Sequence, residues 1–451
     1  MIVYAGYNTN LMQVSATGGT PVAVTALAPG ESAHRWPQFL PEGKRFLYVR
    51  DSGSVDTTGI YVGSLDLKPE QQSMQPLLRT DRQAYWVAPE AGSKGLLLFQ
   101  REETLLAQPF DTSTLQLSGT PHPVATGVGS MAGATFGMWS LARNGTLLYR
   151  GEPGLPQMLW RDLTGKMIGN PGVPNRYGTP VVSPDGGRIV FQVTDAHGNS
   201  DIWVRDLARG NDTRLTFDPR PDSDPVWSPD GKKIAFAANR GARMDLYEKS
   251  ADGAGEERLL FKSDQEKTPT SWSRDGRFLL FNSVDAKSAS DLWILPLDTL
   301  KPFALLKTES WESDGQFSPD GRWVVYSATS SGIPQVYVLP FTAEQRTQRA
   351  SLAAASGPKW MISTTDGFAP RWSGDGKRLF YTGLNAAFMA VDVQPGASFQ
   401  SGTPRRLFNE GSPWYFGLSP AGDRFLFTEV ATPGPPPPFT LVMNWQAGLK
   451  K

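Results

Sequence analysis

Residues 226–239 read Val226-Trp227-Ser228-Pro229-Asp230-Gly231-Lys232-Lys233-Ile234-Ala235-Phe236-Ala237-Ala238-Asn239. Pro229 pre-sets φ for the first central position of a type I turn. Asp230 tolerates the second and can bond its own backbone, and Gly231 supplies the left-handed residue that follows. An aromatic residue precedes the turn and an apolar run follows it. The stretch therefore predicts a tight hairpin with a G1 bulge, feeding a buried strand.

The same pattern recurs along the chain. It appears as Ser183-Pro184-Asp185-Gly186, Ser273-Arg274-Asp275-Gly276, Ser318-Pro319-Asp320-Gly321, Ser373-Gly374-Asp375-Gly376 and Ser419-Pro420-Ala421-Gly422. Weaker copies end at Gly43, Gly95 and Gly145. The glycines at 186, 231, 276 and 321 are each 45 residues apart, and the next steps are 55 and 46. A period in this range marks propellers or solenoids. A further strand follows the turn glycine by 14 or 15 residues: Asp201-Ile202-Trp203, Asp245-Leu246-Tyr247, Asp291-Leu292-Trp293 and Gln335-Val336-Tyr337. A short fourth strand closes each unit, as in Arg258-Leu259-Leu260. Four antiparallel strands per repeat make a propeller blade. No segment has a capped, helix-period apolar pattern over 12 residues, so the predicted fold class is an all-β propeller.

Composition narrows the function. The 451 residues carry 44 basic and 44 acidic side chains, so no global field draws nucleic acid or an anionic membrane. Cysteine is absent, which removes disulfides, thiolate metal sites and cysteine nucleophiles. His34, His122 and His197 are the only histidines. No apolar run reaches the roughly 18–20 residues that span a bilayer, and the start of the chain, Met1-Ile2-Val3-Tyr4-Ala5-Gly6, is not a signal peptide. It reads as a strand inside a blade, which points to a piece of a longer gene product.

The Trp-Ser-Pro-Asp-Gly unit with its Asp-apolar-aromatic strand resembles the WD40-like (PD40) repeats of TolB-type propellers. The resemblance covers nearly the whole chain and is strongest over 175–430. It implies a six-bladed ring. Four longer stretches resemble the extracytoplasmic C-terminal region of bacterial, acidobacterial-type transmembrane Ser/Thr protein kinases: His34–Pro41, Ile60–Asp66, Ala107–Asp111 and Met443–Leu449. That likeness implies a periplasmic sensor attached to an upstream membrane-anchored kinase.

The turn glycines count more than nine blades, too many for one ordinary ring. Two domains are expected: a partial propeller of three to four blades over 1–164, and a six-bladed TolB-like ring over 165–451. In this reading the last ring blade has strands near Trp414–Leu418, Arg424–Thr428 and Phe439–Trp445. Lys166–Gly169 is its outer strand, tying the ring shut and removing two sheet edges.

Catalytic patterns are lacking. Gly417-Leu418-Ser419-Pro420-Ala421 departs from the Gly-x-Ser-x-Gly nucleophile elbow in its last residue and is already a blade turn. Ala88-Pro89-Glu90 and His34-Arg35-Trp36 imitate kinase motifs without a phosphate loop or a catalytic Asp. Asp212, Asp218, Asp222 and Asp224 fit no calcium-loop spacing and read as turn and loop caps. No metal and no cofactor are expected. Trp227, Trp272 and Trp372 read as packing between blades, Asp201, Asp245 and Asp291 as structural, His197 as a solvated loop residue, and Pro435–Pro438 as a stiff polyproline loop. The expected function is non-catalytic binding of a protein or small-molecule ligand. Asp222, Asp224, Lys267, Glu312, Asp314, Phe368 and Arg371 lie just before the innermost strands and are expected to share one rim. The rival readings are a stand-alone periplasmic TolB-like interaction propeller and the accessory propeller of a prolyl-oligopeptidase-like hydrolase.

Overall fold

The computed structural model describes residues 1–451 except 6–9, 29–30, 32, 52–57, 89–94, 131–135, 143, 153, 196–197, 242, 285–289, 330–331, 342–357, 384–385, 395–397, 410–415, 430–436 and 447–451. His197, the Pro89-Glu90 pair and Pro435-Pro436 lie outside the described residues. Among those described, the elements are strands and one short 3-10 turn, Pro69–Gln71. The chain divides into two units. One comprises Leu155–Asp195 and Ser200–Ala431; the other comprises Met1–Gly154, Ala196–Asn199 and Thr432–Lys451.

The first unit is a ring of six antiparallel sheets. The inner strands of its blades, one to six, are Val181–Val182, Asp222–Trp227, Glu266–Trp272, Glu312–Phe317, Phe368–Trp372 and Gly417–Leu418. The turns explain why the motif contains both Ser and Asp. Ser228 Oγ donates to Asp230 Oδ1 (2.6 Å), the Lys232 N–H donates to the same oxygen (3.1 Å), and the Lys233 N–H donates to Ser228 Oγ (2.9 Å). Gly231 sits at φ +67. The brace repeats at Ser183/Asp185, Ser273/Asp275, Ser318/Asp320 and Ser373/Asp375. Where Ala421 replaces the Asp, Ser419 bonds Asp423 instead.

A blade is apolar on both faces, so each sheet needs a neighbour on either side. Six buried clusters meet that need, each drawn from two adjacent blades. Trp227 and Trp372 belong to these clusters, and Trp272 packs against one of them. The inner strands are also stitched sideways. Ser271 Oγ accepts the Phe317 N–H (3.1 Å) and Gln316 Oε1 accepts the Trp372 N–H (2.6 Å).

Closure of the ring corrects one expectation. The third strand of blade six is Gln157–Asp162, fully paired with Arg424–Glu429, and not Phe439–Trp445. Met167–Gly169 is the outer strand, as expected. Strand Gln157–Asp162 therefore lies in the ring although it precedes residue 165. The reason is burial: Met158 and Trp160 pack against Leu426 of their own blade and Ile189 and Phe191 of blade one. Arg161 also pairs with Glu429 (2.6 Å).

The second unit is an arc of four sheets among the described residues. Its blades are Ile2–Ala5 with Leu11–Val14 and Val22–Ala23; Ala33–Phe39 with Arg45–Asp51 and Gly59–Ser64; the sheet from Ala84–Val87 to His122–Ala125; and Trp139–Leu141 with Leu147–Tyr149 and Thr440–Val442. Thr440–Val442 pairs antiparallel with Leu147–Tyr149, and Trp445 joins Trp139 and Leu147 in a buried cluster. Three of these sheets have three strands, fewer than the four expected per blade.

The closure makes a direct prediction. Met158→Ala should destabilise the ring by about 2–5 kcal/mol, because a wholly buried side chain leaves a cavity. Leu441→Ala, at an exposed position, should change stability by about 0.5 kcal/mol or less. Chemical denaturation of the full chain checks both; equal effects would contradict the pairing.

Candidate functional site

Asp224 and Asp314 occupy the same place on the inner strands of blades two and four. Both sit in the left-handed region, at φ +52 and +56, where the strand register shifts against its neighbour. Asp is among the few residues that tolerate this backbone. The residue after each helps set the bulge. Pro225 cannot donate to the ladder, and a Cβ on Gly315 would lie 2.7 Å from Leu280 Cδ2. The bulge turns the carboxylate into the space enclosed by the six inner strands. The preceding serine steadies it: Ser223 Oγ donates to Asp224 Oδ2 (2.7 Å) and Ser313 Oγ to Asp314 Oδ2 (3.0 Å).

Asp224 is open to solvent at its surface, yet protein surrounds it as the walls of a channel would. Loss of bulk water pushes its pKa up, the Ser223 hydrogen bond opposes this, and the Asp314 carboxylate pushes it up further. The two acids thus feel each other across the ring. The arc carries a different surface at this place. Trp36, at φ +57, stacks on Phe136 with ring centroids 4.9 Å apart.

The other candidates separate into two groups. Phe368 and Arg371 are half-buried on the inner strand of blade five; Arg371 donates to the Pro370 carbonyl (2.9 Å), and the Phe368 carbonyl accepts the Thr382 hydroxyl (3.2 Å). Asp222, Lys267 and Glu312 are buried, and this corrects their assignment to a binding rim. They stand at one equivalent position, the entry of an inner strand, and point into the junction with the preceding blade. Asp222 is held by Arg240 (2.6 and 3.1 Å). Burial pushes its carboxyl up to about 6 against the pull of that guanidinium, while Arg240 is itself raised and stays charged. Lys267 Nζ donates to Asp245 Oδ1 (2.8 Å) and to the Gln265 carbonyl. Glu312 accepts the Thr308 hydroxyl, and its pKa is raised by burial foremost. Asp201 and Asp291 pair with Arg214 (2.8 Å) and Lys307 (3.7 Å). Of the loop acids, Asp212 pairs with Arg205 (2.6 Å) and Asp218 with Arg220 (3.0 Å). Among the described residues no group of three or more His, Cys, Asp or Glu is placed to hold a metal.

His34 is the inner-strand entry residue of the arc's second blade. Its Nε2 lies 2.9 Å from Glu31 Oε2 and its Nδ1 2.7 Å from Thr25 Oγ1. Thr25 Oγ1 also accepts the Leu11 N–H (2.9 Å). A neutral ring protonated at Nε2 satisfies every partner: it donates to the carboxylate and accepts the threonine hydroxyl. Arg50 completes the buried set, reaching Glu31 (3.2 Å) and the Tyr48 hydroxyl (2.8 Å). The position shared with Asp222, Lys267 and Glu312 was the signal in the sequence that this histidine belongs to a blade junction.

Residues 161–289 match the family described as PD40, the TolB beta propeller domain. The match covers the first blades of the ring, and the blade topology makes the fold a β-propeller. The chain is 28% identical over 191 residues to the uncharacterized peptidase YuxL of Bacillus subtilis (strain 168), covering 33% of this chain and 29% of that protein. It is 28% identical over 117 residues to Tricorn protease homolog 1 of Streptomyces coelicolor, covering 26% of this chain and 10% of that one. It thus matches less than a third of either relative's length. Among solved structures, one assigned as TolB from Agrobacterium tumefaciens aligns at TM-score 0.47 with 18% identity, covering 61% of this chain and 98% of that one. TolB from Acinetobacter baumannii aligns at 0.41 with 13% identity, covering 79% and 80%.

The two units should respond to acid in opposite directions. Burial lowers the His34 pKa, so below about 6.5 the unfolded arc takes up a proton that the folded arc refuses. Stability of the arc is present above that pH and is lost as pH falls. Asp222, Glu312, Asp201 and Asp224 have raised values, so the folded ring takes up protons before the unfolded chain does. Stability of the ring rises as pH falls from 7 to about 5. Denaturation curves at both pH values should show the arc transition moving to lower denaturant and the ring transition to higher. His34→Gln should remove the first shift.

Proposed function

We propose that the chain is a non-catalytic binding and sensing propeller whose ring channel takes a cationic group, the ammonium or guanidinium of a peptide or protein segment. The carrying observation is the Asp224–Asp314 pair. Burial and the Asp314 charge raise the cost of ionising Asp224, and a positive charge between the two carboxylates relieves it. Each is pre-oriented by its serine and by a bulged backbone, which limits the entropy lost on binding.

The wider setting we infer is the sensor region of a bacterial receptor Ser/Thr kinase, working outside the cytoplasm. It rests on the likeness of His34–Pro41, Ile60–Asp66, Ala107–Asp111 and Met443–Leu449 to such regions. Binding in the channel would then alter the state of the attached kinase. Among the described residues no helix is long and apolar enough to cross a membrane, so the anchor in this reading lies elsewhere in the receptor. A second reading, the propeller of a peptidase, is favoured by the names of the two curated relatives. There the same carboxylates would select the peptides that pass the channel.

Fluorescence anisotropy with a labelled, lysine-rich peptide bearing a free amino terminus tests the binding. Asp224→Asn with Asp314→Asn should weaken it about 10–100-fold, and raised salt should weaken the parent protein's binding. A glutamate-rich, acetylated peptide should not bind. Equal affinity in the double variant would place the ligand elsewhere.

A further inference from the structure

Every junction from ring blade one to blade four brings a third-strand acid close to the entry residue of the next inner strand. In two of the three junctions the charges are answered within the fold. Between blades one and two, Asp201 has Arg214 and Asp222 has Arg240. Between blades two and three, Asp245 has Lys267. Between blades three and four the two residues are Asp291 and Glu312, both acids and both buried. Lys307 answers Asp291. Glu312 stands where Asp222 stands, but among the described residues it has no ion pair; the charge of Lys359 acts on it only from a distance. The backbone bonds Asn239 N–H to Pro221 O and Thr329 N–H to Trp311 O put Asn239 and Thr329 at equivalent places. The next residue is Arg240 in one blade and Ser330 in the other.

At this junction Glu312 Oε2 and Ser290 Oγ have no hydrogen-bond partner among the described residues. Glu312 is 2% exposed and Ser290 0%. Both face the same interface. Ser290 alternates along its strand with Leu292 and Ile294, which lie in the core between blades three and four. Glu312 pairs across its sheet with Ala328 of the same core. A parallel bridge between Ser290 and Trp311 brings the two strands together there. An anionic oxygen and a hydroxyl oxygen, buried and unbonded at one junction, are two of the oxygen donors that a hard cation takes.

We propose that the junction between ring blades three and four binds a hard, oxygen-seeking metal cation through Glu312 and Ser290. The cation does for Glu312 what Arg240 does for Asp222. The site is buried between blades and separate from the channel, so it stabilises the scaffold that holds Asp314, two residues further along the same strand.

The test is thermal unfolding of the full chain in tetramethylammonium chloride, sodium chloride, potassium chloride and calcium chloride at equal ionic strength. The ring transition should rise by about 2–4 °C or more in at least one metal salt over tetramethylammonium. The salt that raises it identifies the cation. Terbium luminescence excited through tryptophan gives a second readout, because Trp311 is adjacent in the chain to Glu312. Glu312→Gln should abolish both signals. Glu312→Lys, which copies Lys267 of the neighbouring junction, should fold and melt independently of the salt. A ring transition equal in all four salts overturns the proposal, as does a metal response that survives Glu312→Gln. A response to pH alone also overturns it, since a proton would then occupy the place assigned to the metal.

Discussion

The pairing of Gln157–Asp162 with Arg424–Glu429 holds the ring shut, and the rest of the ring depends on it. A blade cannot stand alone, because both faces of its sheet are apolar. Six blades arranged in a circle cover all twelve faces only if the last meets the first. Here the last blade takes its two outer strands from the beginning of the ring's own chain segment. Met158 and Trp160 then close the gap between blade six and blade one. Such a closure is entropically long-range, and it converts two open edges into hydrogen-bonded strands.

Closure also forces the chemistry of the interior. The inner strands surround the ring's centre, so the charge of one bulged acid reaches another across it. These acids are Asp224 and Asp314, and among the described residues neither forms an ion pair with an arginine or lysine. At the entry of the inner strands of ring blades two to four, and of the arc's second blade, a polar residue is instead driven into the junction between blades. Asp222 and Lys267 find a partner in Arg240 and Asp245; His34 finds Glu31 and Thr25 in the arc. Asp222 and Lys267 are thus neutralised between blades, Glu312 is buried there without an ion pair, and Asp224 and Asp314 lie two residues beyond Asp222 and Glu312 on the same strands.

Much of this was legible in the sequence. The turn motif, its spacing and the Asp-apolar-aromatic strand identify blades, strand order and the aromatic packing between sheets, because those features are local. Closure was misread at its third strand. Phe439–Trp445 is apolar and close in sequence to the last blade, whereas Gln157–Asp162 lies more than 260 residues from its partner, as the Arg161–Glu429 contact shows. The candidate rim mixed two positions only two residues apart. Which of Asp222 and Asp224 faces the channel is decided by a left-handed residue at the bulge, and the cues for that residue are faint: an Asp-Pro at 224–225 and an Asp-Gly at 314–315. His34 was set aside as a broken kinase motif, since its partners Glu31, Thr25 and Arg50 converge only when two blades pack.

The most direct measurement is the pKa of the Asp224 carboxyl, followed by carbon-13 NMR in selectively labelled protein. Facing carboxylates in a shared channel predict a value above the usual 3.8 for aspartate, and a fall toward it in Asp314→Asn. An ordinary value in the parent protein, or one unmoved by Asp314→Asn, would contradict a channel in which the two acids meet.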